Sequence, residues 1–359
     1  AVVSNVSLNA NDSSKILTVS SETPLEEGAS IGITMGRLTP ITTEKPANIT
    51  GVNTADVSAY FFSDNNAYAV QNGTDNIVQM VTAPSYQAAW GVAKADGSAP
   101  DSWVSTGTLV DAVSYANSLE SSTAYIRLSG DADTSGELFF QPNKSAVLDL
   151  NGHTIDAKQG AFSVLLVSGA LTLHDTSTGG TGKITGGNAP YTGGGVLVRN
   201  GGNLKMTGGT ITGNAAKYNG GGVDLQRGAS FTMTGGNITG NTASTGGGVF
   251  AKPASTFTMT GGEISGNTTT EGAGGVYVEG VLDESAAAQV TVGGTARITG
   301  NQTGTTGNLS NSNIQLAPTA VVTVSTDAPL VQGAAFGMSK SITSGATTAD
   351  VTGTNSSNI

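Results

Sequence analysis

Gly221-Gly222-Val223-Asp224-Leu225-Gln226-Arg227-Gly228-Ala229-Ser230-Phe231-Thr232-Met233-Thr234-Gly235-Gly236-Asn237-Ile238-Thr239-Gly240-Asn241 is the stretch whose reading decides the fold, because its neighbours repeat it. The triplet Gly-Gly-Val begins at Gly194, Gly221, Gly247 and Gly274, in steps of 27, 26 and 27 residues. A second block keeps pace: Leu204-Lys205-Met206-Thr207-Gly208-Gly209, then 231–236, then 257–262. A third follows each time, as Ile211-Thr212-Gly213-Asn214 and again at 238–241, 264–267 and 298–301, with an earlier variant Ile184-Thr185-Gly186-Gly187-Asn188. Self-similarity at a fixed period outranks local propensity as a guide to fold.

Each period holds three short segments of alternating apolar and polar residues separated by Gly or Asn. They are too short for helices and carry the alternation of strands. Three strands in about 27 residues describe one coil. Strands of successive coils would pair about 4.8 Å apart, stacking Val196, Val223, Val249 and Val276 in one inward column. Met206, Met233 and Met259 form a second, and Ile211, Ile238, Ile264 and Ile298 a third. Burial of each such side chain is worth roughly 1.5–3 kcal/mol. No coil closes a core alone, so the expectation is an all-β parallel β-helix, a solenoid held by nearest-neighbour contacts.

The Gly-Asn pairs mark a corner. Gly187, Gly213, Gly240, Gly266 and Gly300 are free to take positive φ there. The residues that follow, Asn188, Asn214, Asn241, Asn267 and Asn301, would then line up as a ladder of side-chain amides. A row of ligand-binding Asn is the alternative; turn chemistry is the commoner use.

Upstream, Leu109, Val113, Ala116 and Leu119 fall at helical spacing. A short amphipathic helix here would cap the open N-terminal end of the coils and block edge pairing. The strand-like run Leu148-Asp149-Leu150-Asn151-Gly152-His153-Thr154-Ile155 follows, and then the repeats. Together these resemble the pectate-lyase-like right-handed parallel β-helix superfamily. The likeness is closer to the large repeat-bearing surface proteins and adhesins of anaerobic and Gram-positive bacteria. It spans about 106–325 and implies a right-handed solenoid; for function it is open, since the architecture serves lyases, hydrolases, adhesins and tail spikes.

A longer repeat overlies the short one. Leu17-Thr18-Val19-Ser20-Ser21-Glu22-Thr23-Pro24-Leu25-Glu26-Glu27-Gly28-Ala29-Ser30-Ile31-Gly32-Ile33 matches Val322-Thr323-Val324-Ser325-Thr326-Asp327-Ala328-Pro329-Leu330-Val331-Gln332-Gly333-Ala334-Ala335-Phe336-Gly337-Met338, 305 residues on. Asn5-Val6-Ser7-Leu8 likewise resembles Asn313-Ile314-Gln315-Leu316, and Ile49-Thr50-Gly51 resembles Val351-Thr352-Gly353. Residues 1–85 therefore read as the closing part of a preceding module, 86–105 as a junction, 106–325 as the next module with its capping helix, and 326–359 as the start of that module's terminal segment, equivalent to about 21–57. A tandem array in one chain and a head-to-tail filament contact between chains explain the match equally well.

Composition narrows the function. Of 359 residues, 52 are Gly, none is Cys, and 15 basic residues face 26 acidic ones for a net charge of -11. That leaves no basic footprint for nucleic acid, no disulfide or thiolate chemistry and no apolar run long enough to span a membrane. Ala1-Val2-Val3-Ser4 carries no leader pattern, so the sequence reads as starting inside a longer precursor or after processing. An extracellular, secreted or cell-surface location fits the absence of Cys.

No catalytic residue is expected: Asn-x-Asp, Asp-Asp, Gly-His-Gly and Arg-x-Lys do not occur, and His153 and His174, the only histidines, read as turn or surface residues. A metal site is not expected either, although Glu263, Glu271, Glu279, Asp283 and Glu284 are the carboxylates that would hold Ca²⁺ if one were bound; Asp283 and Glu284 lie in the insertion Val281 to Gln289, itself a candidate contact for carbohydrate or protein. Strand alternation turns Leu197, Asp224, Phe250 and Tyr277 outward as an exposed ridge, a contact for carbohydrate, for a host or cell-surface protein, or for adjacent copies of the module. The outward Thr232, Thr234, Thr258 and Thr260 resemble the Thr rows of ice-binding solenoids, with Lys205 and Gly293 interrupting them. The expected role is a non-enzymatic structural or adhesive module of a surface protein or fibre. A polysaccharide-active lyase or hydrolase, and an ice-binding protein, are the alternatives.

Overall fold

The structure, a computed structural model, describes residues 87–281, 286–305, 307–318 and 320–339, together with the backbone of strands within 1–82 and at 338–340 and 351–352. Asp283 and Glu284 lie outside the described residues. The chain forms two compact units, Ala1–Tyr86 and Gln87–Ile359.

In the second unit the periodic blocks become short strands, and the chain places them in three sheets in rotation. Val223–Leu225 joins a sheet of eight strands, Ser230–Met233 one of 11, and Asn237–Thr239 one of 13. The next period does the same with Val249–Ala251, Thr256–Met259 and Glu263–Ser265, each parallel to its counterpart. A fourth, two-residue strand such as Thr242–Ala243 follows the Asn corner. The molecule is thus all-β with mostly parallel strands, an arrangement compatible with a parallel β-helix.

Register is set by the apolar residues, since a slip of one residue would turn every inward side chain out. Val196, Val223, Val249 and Val276 pair in sequence and are buried. Met206, Met233 and Met259 do likewise, as do Ile211, Ile238, Ile264 and Ile298. Phe231 and Phe257, also in register, stack with ring centroids 5.1 Å apart. The columns form one apolar core running from Ala88 to Phe336.

At the start of this unit, α1 (Leu109–Ser118) has a reciprocal N-terminal cap. The Asp111 amide donates to Thr108 Oγ1, and the Thr108 amide donates to the Asp111 carboxylate. Leu109, Ala112, Val113 and Ala116 are buried against the first strands, with Leu119 packed beside them. Within 86–105, Ala88–Val92 is itself a strand, antiparallel to both Thr123–Leu128 and Ser105–Gly107, with Trp90 buried.

In the first unit, Val3–Leu8, Ser30–Met35 and Phe61–Ser63 form a parallel sheet. Leu17–Thr18 pairs in parallel with Asn48–Thr50, and the latter pairs antiparallel with Val78–Thr82, the second arm of a hairpin begun by Tyr68–Asn72.

Candidate functional site

The outer face of the eight-stranded sheet carries the row that strand alternation turns outward. Leu197, Asp224, Phe250 and Tyr277 pair in register there, one per repeat. They point away from the core, but the expected exposed ridge is a covered one: Asp224 has 0% and Phe250 2% of its surface exposed, and Leu197 and Tyr277 are half-buried. The cover is the chain just before each Gly-Gly-Val strand. Gly220 and Gly246, both at φ +64°, cross so closely that an added Cβ would lie 2.8 Å from the Asp224 backbone and 2.9 Å from Phe250 Cβ. Alternation identifies the outward residues; it is blind to a loop folding over them. Phe250 and Tyr277 stack beneath this cover, centroids 5.4 Å apart.

Beside the covered row runs an open one. Arg199, Gln226, Lys252 and Glu279 each follow a three-residue strand and donate a backbone N–H to the preceding repeat. They line a groove, with a section of about 600 Å³ bounded by Asn200, Asn219, Gln226, Lys252 and Glu279. A neighbouring section of about 480 Å³ reaches Thr192, Leu197 and Arg199. Lys252 Nζ donates to Gln226 Oε1 at 2.9 Å, and Gln226 Nε2 donates to Asp224 Oδ1. Asp224 Oδ2 is buried with no hydrogen-bond partner among the described residues. Burial pushes the Asp224 carboxyl up to about 7, against the pull of Lys252, Gln226 and Thr192 and with a push from Glu279.

Tyr191 and Tyr218 are 70% and 46% exposed, with rings stacked at 6.5 Å and 23°. Lys217 Nζ sits 5.1 Å from the Tyr218 ring. Each tyrosine precedes a residue that lines the groove, Thr192 or Asn219, and those two form a parallel bridge. This pair escaped the sequence reading, although Tyr191-Thr192 and Tyr218-Asn219 lie 27 residues apart, one full period.

The Asn ladder forms with a shift at each end. Asn241 Oδ1 accepts from both the amide and the Nδ2 of Asn214; Asn267 serves Asn241 in the same way, and Asn301 serves Asn267. Every Nδ2 also donates to the Ile carbonyl one repeat back, such as Asn241 to Ile211 at 2.9 Å. Asn188 is not part of it. The extra Gly in Ile184-Thr185-Gly186-Gly187-Asn188 puts Gly187 at the ladder position, where its N–H donates to Asn214 Oδ1, while Asn188 is exposed. The positive φ moves correspondingly to Gly186, at 76°. At the other end Asn313 extends the ladder, accepting from Asn301.

The remaining candidates stay apart. Glu263 faces Arg297 at 4.0 Å, and no group of three or more His, Cys, Asp or Glu able to hold a metal occurs among the described residues. His174 Nδ1 is 2.8 Å from Thr207 Oγ1, and His153 Nδ1 is 3.6 Å from Asp131. Thr232, Thr258, Thr291 and Thr323 pair consecutively, so this Thr row is longer than the sequence blocks imply, with Lys205 next to Thr232 at one end. Among the described residues no helix is long and apolar enough to cross a membrane.

Asp149 of the Leu-Asp-Leu run is buried and fully partnered. Oδ2 accepts from Arg127 Nε at 2.8 Å and from the Tyr125 hydroxyl at 3.0 Å; Oδ1 accepts from the Thr176 and Asn151 amides. Burial alone would raise this carboxyl, but the bonds from Thr176, Arg127 and Tyr125 outweigh it and hold the group below its ordinary value. Its chemistry is that of a structural clasp. No protein-family model, curated protein or solved structure matches the chain.

Proposed function

We propose that this chain is part of an extracellular surface protein or fibre, a right-handed parallel β-helix of about 27 residues per coil whose outer groove contacts carbohydrate. Right-handedness follows from the near-universal hand of parallel crossover connections. A stack of rigid repeats suits a stalk or adhesin, and its long axis suits an extended ligand. The observation that carries the adhesive reading is the exposed, stacked Tyr191–Tyr218 pair, each tyrosine one residue before a residue that lines the groove. Tyrosine faces stack on the apolar faces of sugar rings, while Arg199, Gln226 and Lys252 offer donors to hydroxyl and carboxylate groups.

Binding of linear polysaccharides, followed by calorimetry, tests this. Tyr191→Ala and Tyr218→Ala are each expected to weaken binding about fivefold or more, since an aromatic contact is worth about 1 kcal/mol beyond its area. Binding unaffected by the double substitution would discard the groove as the contact.

A second reading is a polysaccharide-cleaving enzyme, favoured by the raised Asp224 carboxyl, because such groups concentrate at catalytic sites. Against it, Asp224 Oδ2 has no surface for a substrate to reach. Release of new reducing or unsaturated ends from a bound polysaccharide, abolished in Asp224→Asn, would replace the adhesive reading with this one.

A further inference from the structure

The outward position of the Gly-Gly-Val strand holds Leu197, Asp224, Phe250 and Tyr277 in successive repeats, so a carboxyl stands where its neighbours have large apolar side chains. Asp224 has no exposed surface, and its Oδ2 has no hydrogen-bond partner among the described residues. A carboxylate enclosed in this way is costly, and two things relieve it: a proton, or water.

The piece of chain that keeps water out is 217–221, with Gly220 crossing directly over the Asp224 backbone. Its hold is slight. The Tyr218 amide donates to the Tyr191 carbonyl at 2.9 Å, the Gly220 amide to the Thr245 carbonyl at 3.1 Å, and the Asn219 carbonyl accepts from Gly193 at 2.9 Å. None of the side chains of Lys217, Tyr218 and Asn219 is buried, so no apolar anchor ties the piece to the core. Segments of this kind open at low free-energy cost. The corresponding covers, with Gly193, Gly246 and Gly272, lie over Leu197, Phe250 and Tyr277, side chains that gain nothing from water.

We propose that 217–221 is a proton-controlled strap: it lies shut over Asp224 while the carboxyl is protonated and opens increasingly as the carboxyl ionises, whereas the covers over the apolar neighbours do not respond. The charged and titratable groups about Asp224 are Arg199 from the repeat before, Lys217, Tyr218 and Arg227 from its own, and Lys252, Tyr277 and Glu279 from the two after. Lys252 favours the ionised form and Glu279 opposes it, and neither bonds to Oδ2. Because the shut form raises the carboxyl from 3.8 to about 7, opening becomes easier from about pH 4 upward and levels off above 7. An open strap takes Tyr218 off Tyr191 and Asn219 out of the groove wall. A ligand held by either would therefore hold the strap shut and bind more tightly in acid. That consequence rests on the carbohydrate reading of the groove; the strap itself does not.

Amide hydrogen exchange of the full chain without any ligand, corrected for the intrinsic pH dependence of exchange, tests this. The opening constant at Tyr218 and Gly220 is expected to rise roughly tenfold or more between pH 5 and pH 7, and to be insensitive to low denaturant as local openings are. The amides of Gly247 and Glu271, which lie in the covers over Phe250 and Tyr277, should keep theirs. Asp224→Asn and Asp224→Leu, the latter copying the side chain at 197, should abolish the rise. A parent without the rise, or a rise that survives Asp224→Asn, would overturn the proposal. So would an equal rise at Gly247, which would mark opening of the whole unit rather than of the strap.

Discussion

Asp224 is where a single residue has most to report. Its carboxyl lies in a row of apolar side chains, between Leu197 and Phe250, with one oxygen on Gln226 and the other without a hydrogen-bond partner among the described residues. Because its folded value is raised from 3.8 to about 7, the folded state holds the proton more tightly than the unfolded chain. The cost of ionising it is absent below pH 4, grows as the pH rises from there, and is complete above 7. The rise from 3.8 to about 7 corresponds to on the order of 4 kcal/mol. Asp224→Asn, which is isosteric and neutral, should therefore be more stable than the parent at pH 8 and equal to it at pH 4. Denaturant unfolding at both pH values checks this, and a parent whose stability does not fall between them would refute it. Asp149 predicts the opposite sign. Its lowered value means stability present at neutral pH and lost in acid, and Asp149→Ala removes the charged acceptor of Arg127, Tyr125 and Thr176, at a cost of about 2–3 kcal/mol. Strand alternation in the sequence gives the position of Asp224 on the outward face, but not its burial. The covering glycines stand four residues before Asp224 and Phe250, and nothing in their spacing tells an open turn from one folded back on the strand.

At the scale of the element, the Asn corner shows how far a periodic reading reaches. Asn214, Asn241, Asn267 and Asn301 were legible because Ile and Asn keep a fixed separation of three residues. Asn188 misled because Gly-Asn also ends its block, one residue late; counting from Ile184 instead reaches Gly187, which does occupy the ladder. Asn313 was not legible at all, since it ends no Ile-Thr-Gly-Asn block and reaches Asn301 from the following strand segment. The rungs differ in energy accordingly. Asn241→Ala removes the acceptor of two buried donors of Asn214 and two bonds of its own, an expected loss of about 2–4 kcal/mol. Asn188→Ala should change stability by no more than about 0.5 kcal/mol. Comparable losses in the two variants, by urea titration, would show that the ladder contributes little as a unit.

At the scale of the molecule, the repeats bury their core only against one another, so the first exposed end needs a lid. The helical spacing of Leu109, Val113 and Ala116 was legible, and α1 does pack on the strands at Thr123–Leu128 and Leu138–Phe140. The antiparallel strand Ala88–Val92 is not legible there, because Trp90 and Gly91 stand outside the repeats and nothing in the sequence marks a strand for them to pair with. Ala112 sits at the centre of this lid with no exposed surface. Ala112→Asp places a carboxylate in this apolar contact, and a buried unpaired charge costs several kcal/mol. Since the chain divides into two compact units, the damage should be confined to one of them. Scanning calorimetry of the variant is expected to show the larger transition, from 87–359, moved down, with aggregation following it as strand edges become free. The transition of 1–86 should keep its midpoint. A single transition that shifts as a whole would mean that the units fold as one body. A larger transition that does not move would mean that α1 covers nothing the core depends on.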